Sequence, residues 1–352
     1  MFTAVHLIPT GVGAAIGGYA GDGGPAAALL AAVCDRLVTH PNAVNGAQLL
    51  ALPPNGLYVE GSALDGWLAG RLALRPVRAR KIGILVDRAV EGHPAGSLEA
   101  LHHAADAVRS VHGVPLAGWT LTPRPIGVRL ATGAHGHSTG AVEDPEAVLA
   151  GARTLVAAGA EAIAIVADLG RLDPAAEATY DQGGGVDPIG GVEAILSHLV
   201  VASLGIPAAH APLWPHDPAP PHPVDPRAAA EHLGHTFLPC VLMGLARHPS
   251  LVAPPDCQPG DVLPGAADAV VVPQGCLGGP GVLAARDRGV PVVVVRENRT
   301  AVPLEASALG WEPGAGLHEV ANYWEAAGLL ACWRAGLDPW SVRRPLPALR
   351  RL

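Results

Sequence analysis

Five side chains of this sequence have the chemistry of a proton-transferring or nucleophilic site, and each falls near a predicted strand end, turn or helix start. They are Asp187, Glu193, His210, Cys276 and Glu297. Carboxylates and imidazoles transfer protons near neutral pH when their surroundings adjust their pKa values. Cys276 lies in a turn before a helix, and a helix N-terminus is expected to lower a thiol pKa. The residues predict acid–base chemistry or thiol chemistry, and a small residue in a tight turn is the other interpretation of Cys276.

Two glycine-rich turns would position ligands beside these residues. The first follows a predicted strand at Ala4–Ile8 and precedes a helix predicted over Ala26–Leu37. Glycines let a ligand approach the backbone, and the free N–H groups of the following helix attract anions. The spacing matches neither GxGxxG nor the Walker pattern, so a tight connection without a ligand is the alternative. The candidate binding residues of this turn are Thr10, Gly11, Gly13 and Asp22.

The second glycine-rich turn, Pro273–Gly279, lies between a predicted strand (Ala269–Val272) and a predicted helix (Pro280–Arg288). A further buried strand, Val290–Val295, ends in a polar segment at the sheet edge where α/β proteins bind ligands. The candidate binding residues here are Gly275, Gly278, Gly279 and Asn298.

Two further segments carry polar or glycine patterns. Asn42 and Asn45 lie in a segment rich in turn-forming residues and either contact a ligand or form a plain turn. Asp187 and Pro188 begin a helix predicted to end near Leu204. The glycines Gly190 and Gly191 in its first turn are unfavourable for a helix, which predicts close packing of a backbone or a ligand against them.

The elements that carry these residues are short apolar strands alternating with helices. Unbroken β-branched runs are typical of parallel strands covered on both faces. The sequence therefore predicts an α/β fold, with Rossmann-like parallel sheets, helices on both faces, and two lobes with a ligand cleft between them. The predicted domains are 1–140, 141–310, and a helical brace and tail at 311–352 that contains a helix over Leu317–Ala335. A proline-dense connector is predicted at Trp214–Pro226.

Composition excludes several classes of function. The 352 residues carry a formal net charge of −8 without a basic block, so nucleic-acid binding is not expected. No apolar run is long enough to span a membrane and no basic leader opens the sequence, which predicts a cytoplasmic protein without a membrane partner. Five scattered cysteines form no zinc pattern, and His135 and His137 lack an obvious third ligand. No metal is assigned, and the cofactor is left unknown.

The segments TGVGAAIGGYAGD, THPNAVNGAQ, GVDPIGGVEAILSHLVV and VVPQGCLGGPG resemble a protein family of unknown function that occurs in bacteria and plastids. The resemblance covers nearly the whole chain and implies a soluble metabolic role without an established chemistry. More loosely, GGPGVLAARDRGVPVVVV is similar to the nucleotide-sugar half of two-domain glycosyltransferases and epimerases. The glutamate expected in that helix is missing, so this similarity concerns the fold alone.

Together these patterns predict an enzyme that binds a small anionic metabolite, carrying phosphate or carboxylate, between the two glycine-rich turns. Its reaction is a transferase-like or acid–base reaction; a thiol-dependent hydrolase or isomerase using Cys276 is an alternative. A non-catalytic protein that binds a nucleotide or metabolite is the alternative outside catalysis. A homo-oligomer is possible on this sequence.

Overall fold

A computed structural model describes residues 1–45, 52–170, 173–213, 223–233, 237–312, 314, 316–346 and 348–349. The strands are β1 (Thr3–His6), β2 (Arg36–Thr39), β3 (Gly56–Tyr58), β4 (Ala73–Arg75), β5 (Ile82–Val86), β6 (Leu116–Leu121), β7 (Val128–Thr132), β8 (Ser138–Val142), β9 (Ala162–Ala167), β10 (Ala208–Pro212), β11 (Ser250–Val252), β12 (Ala269–Pro273), β13 (Val292–Val295) and β14 (Leu317–Val320). The α-helices are α1 (Gly24–Ala32), α2 (Pro41–Val44), α3 (Gly61–Leu68), α4 (Ser97–His112), α5 (Pro145–Ala157), α6 (Pro174–Asp181), α7 (Gly190–Leu204), α8 (Leu238–Arg247), α9 (Pro280–Asp287) and α10 (Tyr323–Arg334).

Two parallel sheets organise the molecule. The larger has six strands in the order β14-β13-β12-β1-β2-β3, and the smaller has four in the order β10-β9-β5-β6. Every pairing within both sheets is parallel. Strands β12 and β13 are buried along their whole length because their valines face helices or loops on both sides. The predicted α/β class with Rossmann-like parallel sheets is confirmed.

The sheets group the chain differently from the predicted boundaries at residues 140 and 310. Strand β1 pairs with β12, with Ala4 opposite Ala269, so the larger sheet combines both ends of the chain. The smaller sheet uses the middle, from Ile82 to Pro212. One cluster of buried apolar residues contains members of both sheets, such as Val271 and Ile163. The division into independent domains stays a prediction.

Polar caps set several helix boundaries as the sequence indicates. Asp144 accepts a hydrogen bond from the backbone N–H of Ala147 at the start of α5, and Pro145 occupies the first helical position. At the start of α10, Asn322 accepts one from Glu325. The predicted strands and helix around Pro273–Gly279 are observed within one or two residues of their expected ends.

Two predicted helices are wrong in extent. The helix predicted over Ala26–Leu37 ends at Ala32, and Leu37 lies in β2, because the strand-forming run RLVT pairs with β1. The helix predicted over Leu317–Ala335 contains a strand instead, since Leu317–Val320 pairs with β13 before the cap at Asn322. Apolar residues at both positions fit a buried strand as well as a helix face, so periodicity alone does not separate them.

Two predicted segments fall partly outside the described residues. These are the polar turn Thr39–Gln48, from position 46, and the proline-dense segment Trp214–Pro226, up to position 222. No helix in the part of the chain that the structure describes has the length and apolarity to cross a membrane.

Candidate functional site

A cavity of about 120 Å³ lies where the end of β10 meets the beginning of α7. The loop after β1, α6 and the turn at Ala229–His232 form its other walls. Its polar lining side chains are Thr10, Tyr19, Asn42, Asn45, Glu177, Tyr180, Asp181, Asp187, Glu193, His210, Glu231 and His232. The carboxyl end of a parallel strand is the edge at which open α/β sheets bind ligands.

The cavity lining is acidic. Five carboxylates contribute to it and, among the described residues, neither lysine nor arginine does. The carboxylates are Glu177, Asp181, Asp187, Glu193 and Glu231. Fixed negative charge repels anions and attracts cations, and the low dielectric of a partly enclosed space strengthens both effects.

Three of these acids, Asp187, Glu193 and Glu231, form a carboxylate cluster, in which two members have raised pKa values. Burial raises the pKa of Asp187 well above its usual value, and the neighbouring charges of Glu193 and Glu231 raise it further. Burial also raises the pKa of Glu231 to about 7, against hydrogen bonds from the backbone of Ala20 and the hydroxyl of Tyr180. Near neutral pH the cluster therefore retains protons that isolated carboxylates would have lost.

His210 is held at the cavity by two residues of α7. Its Nδ1 atom lies 2.6 Å from the hydroxyl oxygen of Ser197, and its Nε2 atom lies 3.4 Å from Oε2 of Glu193. Glu193 and Ser197 are four residues apart and so share one face of the helix. The side chains of His210 and Glu193 are each 11% exposed, and both line the cavity. An imidazole fixed at both nitrogens beside a carboxylate can accept and return a proton.

The sequence interpretation placed Glu193 and His210 among the catalytic candidates without pairing them, and it missed Ser197. The signal was present: Glu193 and Ser197 have the i, i+4 spacing of one helix face, and His210 lies on the strand that follows this helix. Their meeting depends on the packing of α7 against β10, which no local pattern specifies.

The outer wall of the cavity is an aromatic pair that the sequence did not indicate. Tyr19 and Tyr180 stack with ring centroids 4.1 Å apart, and Arg227 lies over the other face of Tyr19. The hydroxyl oxygen of Tyr180 lies 3.0 Å from the carbonyl oxygen of Gly18 and 3.0 Å from Oε1 of Glu231. The loop after β1 is thereby tied to α6 and to the turn that carries Glu231.

The predicted binding residues of the first glycine-rich turn separate into two groups. Thr10 lines the cavity. Gly11 and Gly13 have positive φ angles and pack against protein, because a Cβ atom would come within 2.8 Å of Ser138 or 2.7 Å of Val186. Asp22 accepts a hydrogen bond from the backbone of Tyr19 and lies 3.4 Å from Arg227.

Asn42 and Asn45 both line the cavity, and each also braces the fold. The amide of Asn42 donates to the carbonyl oxygens of Ile8 and Pro9. The side-chain oxygen of Asn45 accepts from the hydroxyl of Tyr58.

Asp187 lines the cavity and accepts a hydrogen bond from the backbone of Ile189 just before α7. The close packing predicted at Gly190 and Gly191 is observed. A Cβ atom on Gly191 would overlap the carbonyl group of Ser138, which begins β8, so the approaching group is another backbone.

The second glycine-rich turn lies away from the cavity lining. A Cβ atom on Gly275 would overlap the carbonyl oxygen of Val302, and one on Gly278 would come within 2.8 Å of Leu304. Gly279 has ordinary space around it, with Val282 at 3.8 Å. These contacts are made by protein atoms.

Asn298 and Glu297 follow β13 near this turn. Asn298 is fully buried, and its amide bonds both backbone groups of Ile16 and the hydroxyl of Tyr323. Glu297 is exposed. The structure therefore does not bring Glu297 or Asn298 to His210.

The lowered thiol pKa expected for Cys276 is wrong. Cys276 is 5% exposed, and burial raises its thiol pKa to about 11. The hydroxyl of Thr300, 3.8 Å from the sulfur, only partly opposes this effect. Desolvation of the thiolate outweighs the attraction of the short helix α9.

Comparison with known proteins identifies the family of this chain. A family model described as a protein of unknown function (DUF3326) matches residues 3–343. The chain belongs to this family. It is also 42% identical to a protein of Synechococcus named an uncharacterized lipoprotein, over 99% of this chain and 95% of that protein. The resemblance to a family of unknown function is thus confirmed.

DUF3326 membership assigns no metal to the cavity. Among the described residues, no group of three or more histidine, cysteine, aspartate or glutamate side chains is arranged to hold a metal ion. His135 is exposed on the hairpin between β7 and β8, and the ring of His137 folds over Gly133.

Proposed function

We propose that the protein is an enzyme of small-molecule metabolism that performs acid–base chemistry in the cavity. The observation that carries this proposal is the placement of His210 between Ser197 and Glu193, facing the cavity. His210 exchanges the proton with the bound molecule through Nε2, and Glu193 stabilises the protonated imidazole. A carboxylate beside an imidazole serves this purpose in many proton-transfer sites.

The carboxylate cluster supplies the second half of the chemistry. A group with a pKa near the working pH is an effective general acid, and burial raises the pKa of Glu231 to about 7. Asp187 also holds a proton more tightly than an isolated carboxylic acid. The cavity thus offers an imidazole base and carboxylic acids within one lining, which is the pairing that isomerisation, elimination and hydration reactions require.

The charge of the lining favours a neutral or cationic polar substrate, such as a polyol, a sugar or an amine. The phosphate- or carboxylate-bearing metabolite predicted from the glycine-rich turns has less support, because no lysine or arginine lies among the described lining residues to pair with its charge. The acid–base interpretation is favoured over the transferase interpretation because the cavity lining brings His210 together with Asp187, Glu193 and Glu231.

Thermal unfolding against a panel of amines, polyols, sugars, carboxylates and sugar phosphates tests the substrate class. A compound at 100 times its dissociation constant stabilises the folded state by about 2.7 kcal/mol. We expect shifts from neutral or cationic compounds that disappear in Asp187→Asn and persist in Glu297→Gln, a surface carboxylate outside the cavity. Stabilisation by phosphates alone, unaffected by Asp187→Asn, would contradict the proposal.

Turnover of a binding compound then separates an enzyme from a binding protein. His210→Gln removes proton transfer while keeping a polar side chain, so we expect binding to remain and the rate to fall by about 100-fold or more. A compound that binds tightly and is recovered unchanged from the unaltered protein would favour the non-catalytic alternative. Thiol chemistry predicts the opposite sensitivity, to Cys276→Ser instead of His210→Gln.

The cytoplasmic location is also proposed and needs its own test. The Synechococcus relative is named an uncharacterized lipoprotein, so a membrane location is the alternative to test. Fractionation of cells that produce this chain, with detection in the soluble and membrane fractions, distinguishes the two locations. Recovery in the membrane fraction after a high-salt wash would contradict a cytoplasmic location.

A further inference from the structure

Ser197 contacts the catalytic candidate His210 from outside the cavity. Its hydroxyl oxygen lies 2.6 Å from Nδ1 of His210 and 3.3 Å from the carbonyl oxygen of Glu193, one helical turn earlier. Ser197 is 3% exposed, and the cavity lining reaches His210 but not Ser197. A bound molecule would therefore touch the imidazole and leave the serine covered.

We propose that Ser197 is a positioning residue, which holds Nδ1 of His210 and leaves Nε2 as the atom that exchanges protons with a bound molecule. This inference rests on the proposed acid–base function of the cavity. It concerns a residue that neither touches the substrate nor changes charge itself.

The hydroxyl of Ser197 satisfies Nδ1 in both of its protonation states. A hydroxyl donates one hydrogen bond and accepts two. When Nδ1 is unprotonated, Ser197 donates to it. When Nδ1 carries a proton, this N–H donates to the serine oxygen, and the hydroxyl turns to donate to the carbonyl oxygen of Glu193. Nδ1 is never left without a partner, which would be costly for a buried polar atom.

This arrangement confines proton exchange to the cavity side of the ring. In the protonated imidazole, the Nε2–H bond breaks and its proton moves to a basic atom of the bound molecule or to Oε2 of Glu193, which lies 3.4 Å away. The Nδ1–H bond to Ser197 stays intact, so the neutral ring is left with its lone pair on Nε2. The same atom can then take a proton back, and no proton has to leave through the buried side.

Nitrogen NMR of the full-length protein with ¹⁵N-labelled histidine measures this directly. Ring nitrogens that are protonated, hydrogen-bonded or free have different ¹⁵N shifts, and the signals of His210 are identified by their loss in His210→Gln. We expect Nδ1 of the unaltered protein to be hydrogen-bonded. In Ser197→Ala its shift should move to that of a free nitrogen, with the two tautomers in exchange.

Two variants control for packing. Ser203→Ala alters an exposed serine of the same helix and should leave the His210 signals unchanged. Ser197→Thr keeps the hydroxyl, which threonine in a helix can also direct to the carbonyl four residues earlier, so it should restore the bonded Nδ1 signal. Should Ser197→Ala lose its native amide spectrum, Ser197→Cys replaces it, because a thiol is a weak hydrogen-bonding group of comparable size.

An Nδ1 shift that is the same in folded Ser197→Ala as in the unaltered protein would overturn the role of Ser197. With a turned-over compound, Ser197→Ala should lower kcat by roughly tenfold with KM unchanged, since only the orientation of the base is lost. A bonded Nδ1 together with an Nε2 signal that no panel compound shifts would instead refute the acid–base function and support the hydrogen bond.

Discussion

The cavity and a second polar site, both at strand ends in the described part of the molecule, differ in whether the protein fills them. The cavity lies beyond β10 with Asp187, Glu193 and His210 in its lining. The other site, here termed the closed edge, lies beyond β12 and β13 and comprises His6, Cys276, Asn298, Thr300 and Tyr323. Both combine polar side chains, parallel strands and a glycine-rich turn before a helix.

The difference is one of space and charge. At the closed edge the approach to the glycine-rich turn is occupied by Val302 and Leu304. Its side chains are neutral; burial, together with the neighbouring charge of His40, holds the pKa of His6 at about 3. In the cavity, five carboxyl groups line one space that the described protein atoms leave open. A polar residue at a strand end therefore indicates a binding site only where distant segments leave the end uncovered.

The largest effect is expected from filling the turn of the closed edge. Gly275→Ala places a Cβ atom against the carbonyl oxygen of Val302 at a φ angle of +83°, and we expect it to lower the free energy of unfolding by about 4 kcal/mol. Gly279→Ala, in the same turn, has space and a negative φ and should cost about 1 kcal/mol or less. Urea denaturation of both variants measures the contrast. Equal stability would mean that the turn is open to a ligand after all.

Removing the amide at the centre of the closed edge comes next. Asn298→Ala leaves the backbone groups of Ile16 and the hydroxyl of Tyr323 without their partner in a dry interior, at a cost of about 3 kcal/mol. The matched variant Asn55→Ala loses bonds only to two carbonyl oxygens in a half-buried position and should cost about 1 kcal/mol. Compounds that bind the cavity should bind Asn298→Ala normally, and weaker binding would make Asn298 part of the site.

In the cavity, replacing the buried polar side chain of Glu231 should raise the free energy of unfolding. Because Glu231 in the folded state has a pKa of about 7 against a usual value of 4.5, the folded protein holds a proton that the unfolded chain releases. Stability is therefore lost as pH rises from 4.5 to 7. Glu231→Gln removes this loss, so we expect about 3 kcal/mol more stability than the unaltered protein at pH 8, and no gain at pH 4.

Unfolding free energies measured from pH 4 to pH 8 check this sign. Glu99→Gln, an exposed substitution on α4, should follow the curve of the unaltered protein. A parallel curve for Glu231→Gln would show that Glu231 does not retain its proton in the folded protein.

The smallest effect belongs to Cys276. With its thiol pKa raised to about 11 and the sulfur buried, it should react with a disulfide reagent at pH 8 only as the protein unfolds. Cys257 and Cys332, which are partly exposed, should react first. Cys276→Ser should leave cavity binding unchanged. Rapid modification of Cys276 in the folded protein, identified by mass spectrometry, would revive the thiol interpretation.

Local patterns in the sequence were sufficient for the fold class and for half of the cavity. Buried valine runs identified strands such as β12, a helix-start pattern pointed to Asp187, and a polar strand end pointed to His210. The local sequence does not distinguish a helix from a strand at Leu317, because pairing with β13 is what makes this segment a strand.

The rest of the cavity depended on contacts between distant segments. Tyr19 meets Tyr180 across 161 residues, and Glu231 reaches the backbone of Ala20 across 211. The glycines of both turns pack against protein atoms, Gly11 and Gly13 against Ser138 and Val186, and Gly275 and Gly278 against Val302 and Leu304. A glycine-rich motif indicates that other atoms can approach the backbone closely. The tertiary fold determines whether those atoms belong to a ligand or to the protein.

The larger sheet has a consequence for the biosynthesis of the chain. Its central pair joins Ala4 to Ala269, so β1 leaves the ribosome long before its partner exists, while β5, β6, β9 and β10 follow one another within residues 82–212. Contacts between nearby segments form faster than those that close long loops. We expect the middle sheet to fold during synthesis and β1–β3 to wait with one apolar edge unpaired. During synthesis the unpaired edge of β1–β3 must be kept from pairing with other chains. We expect the yield of folded protein in a cell to depend more on this delay than on the free energy of unfolding.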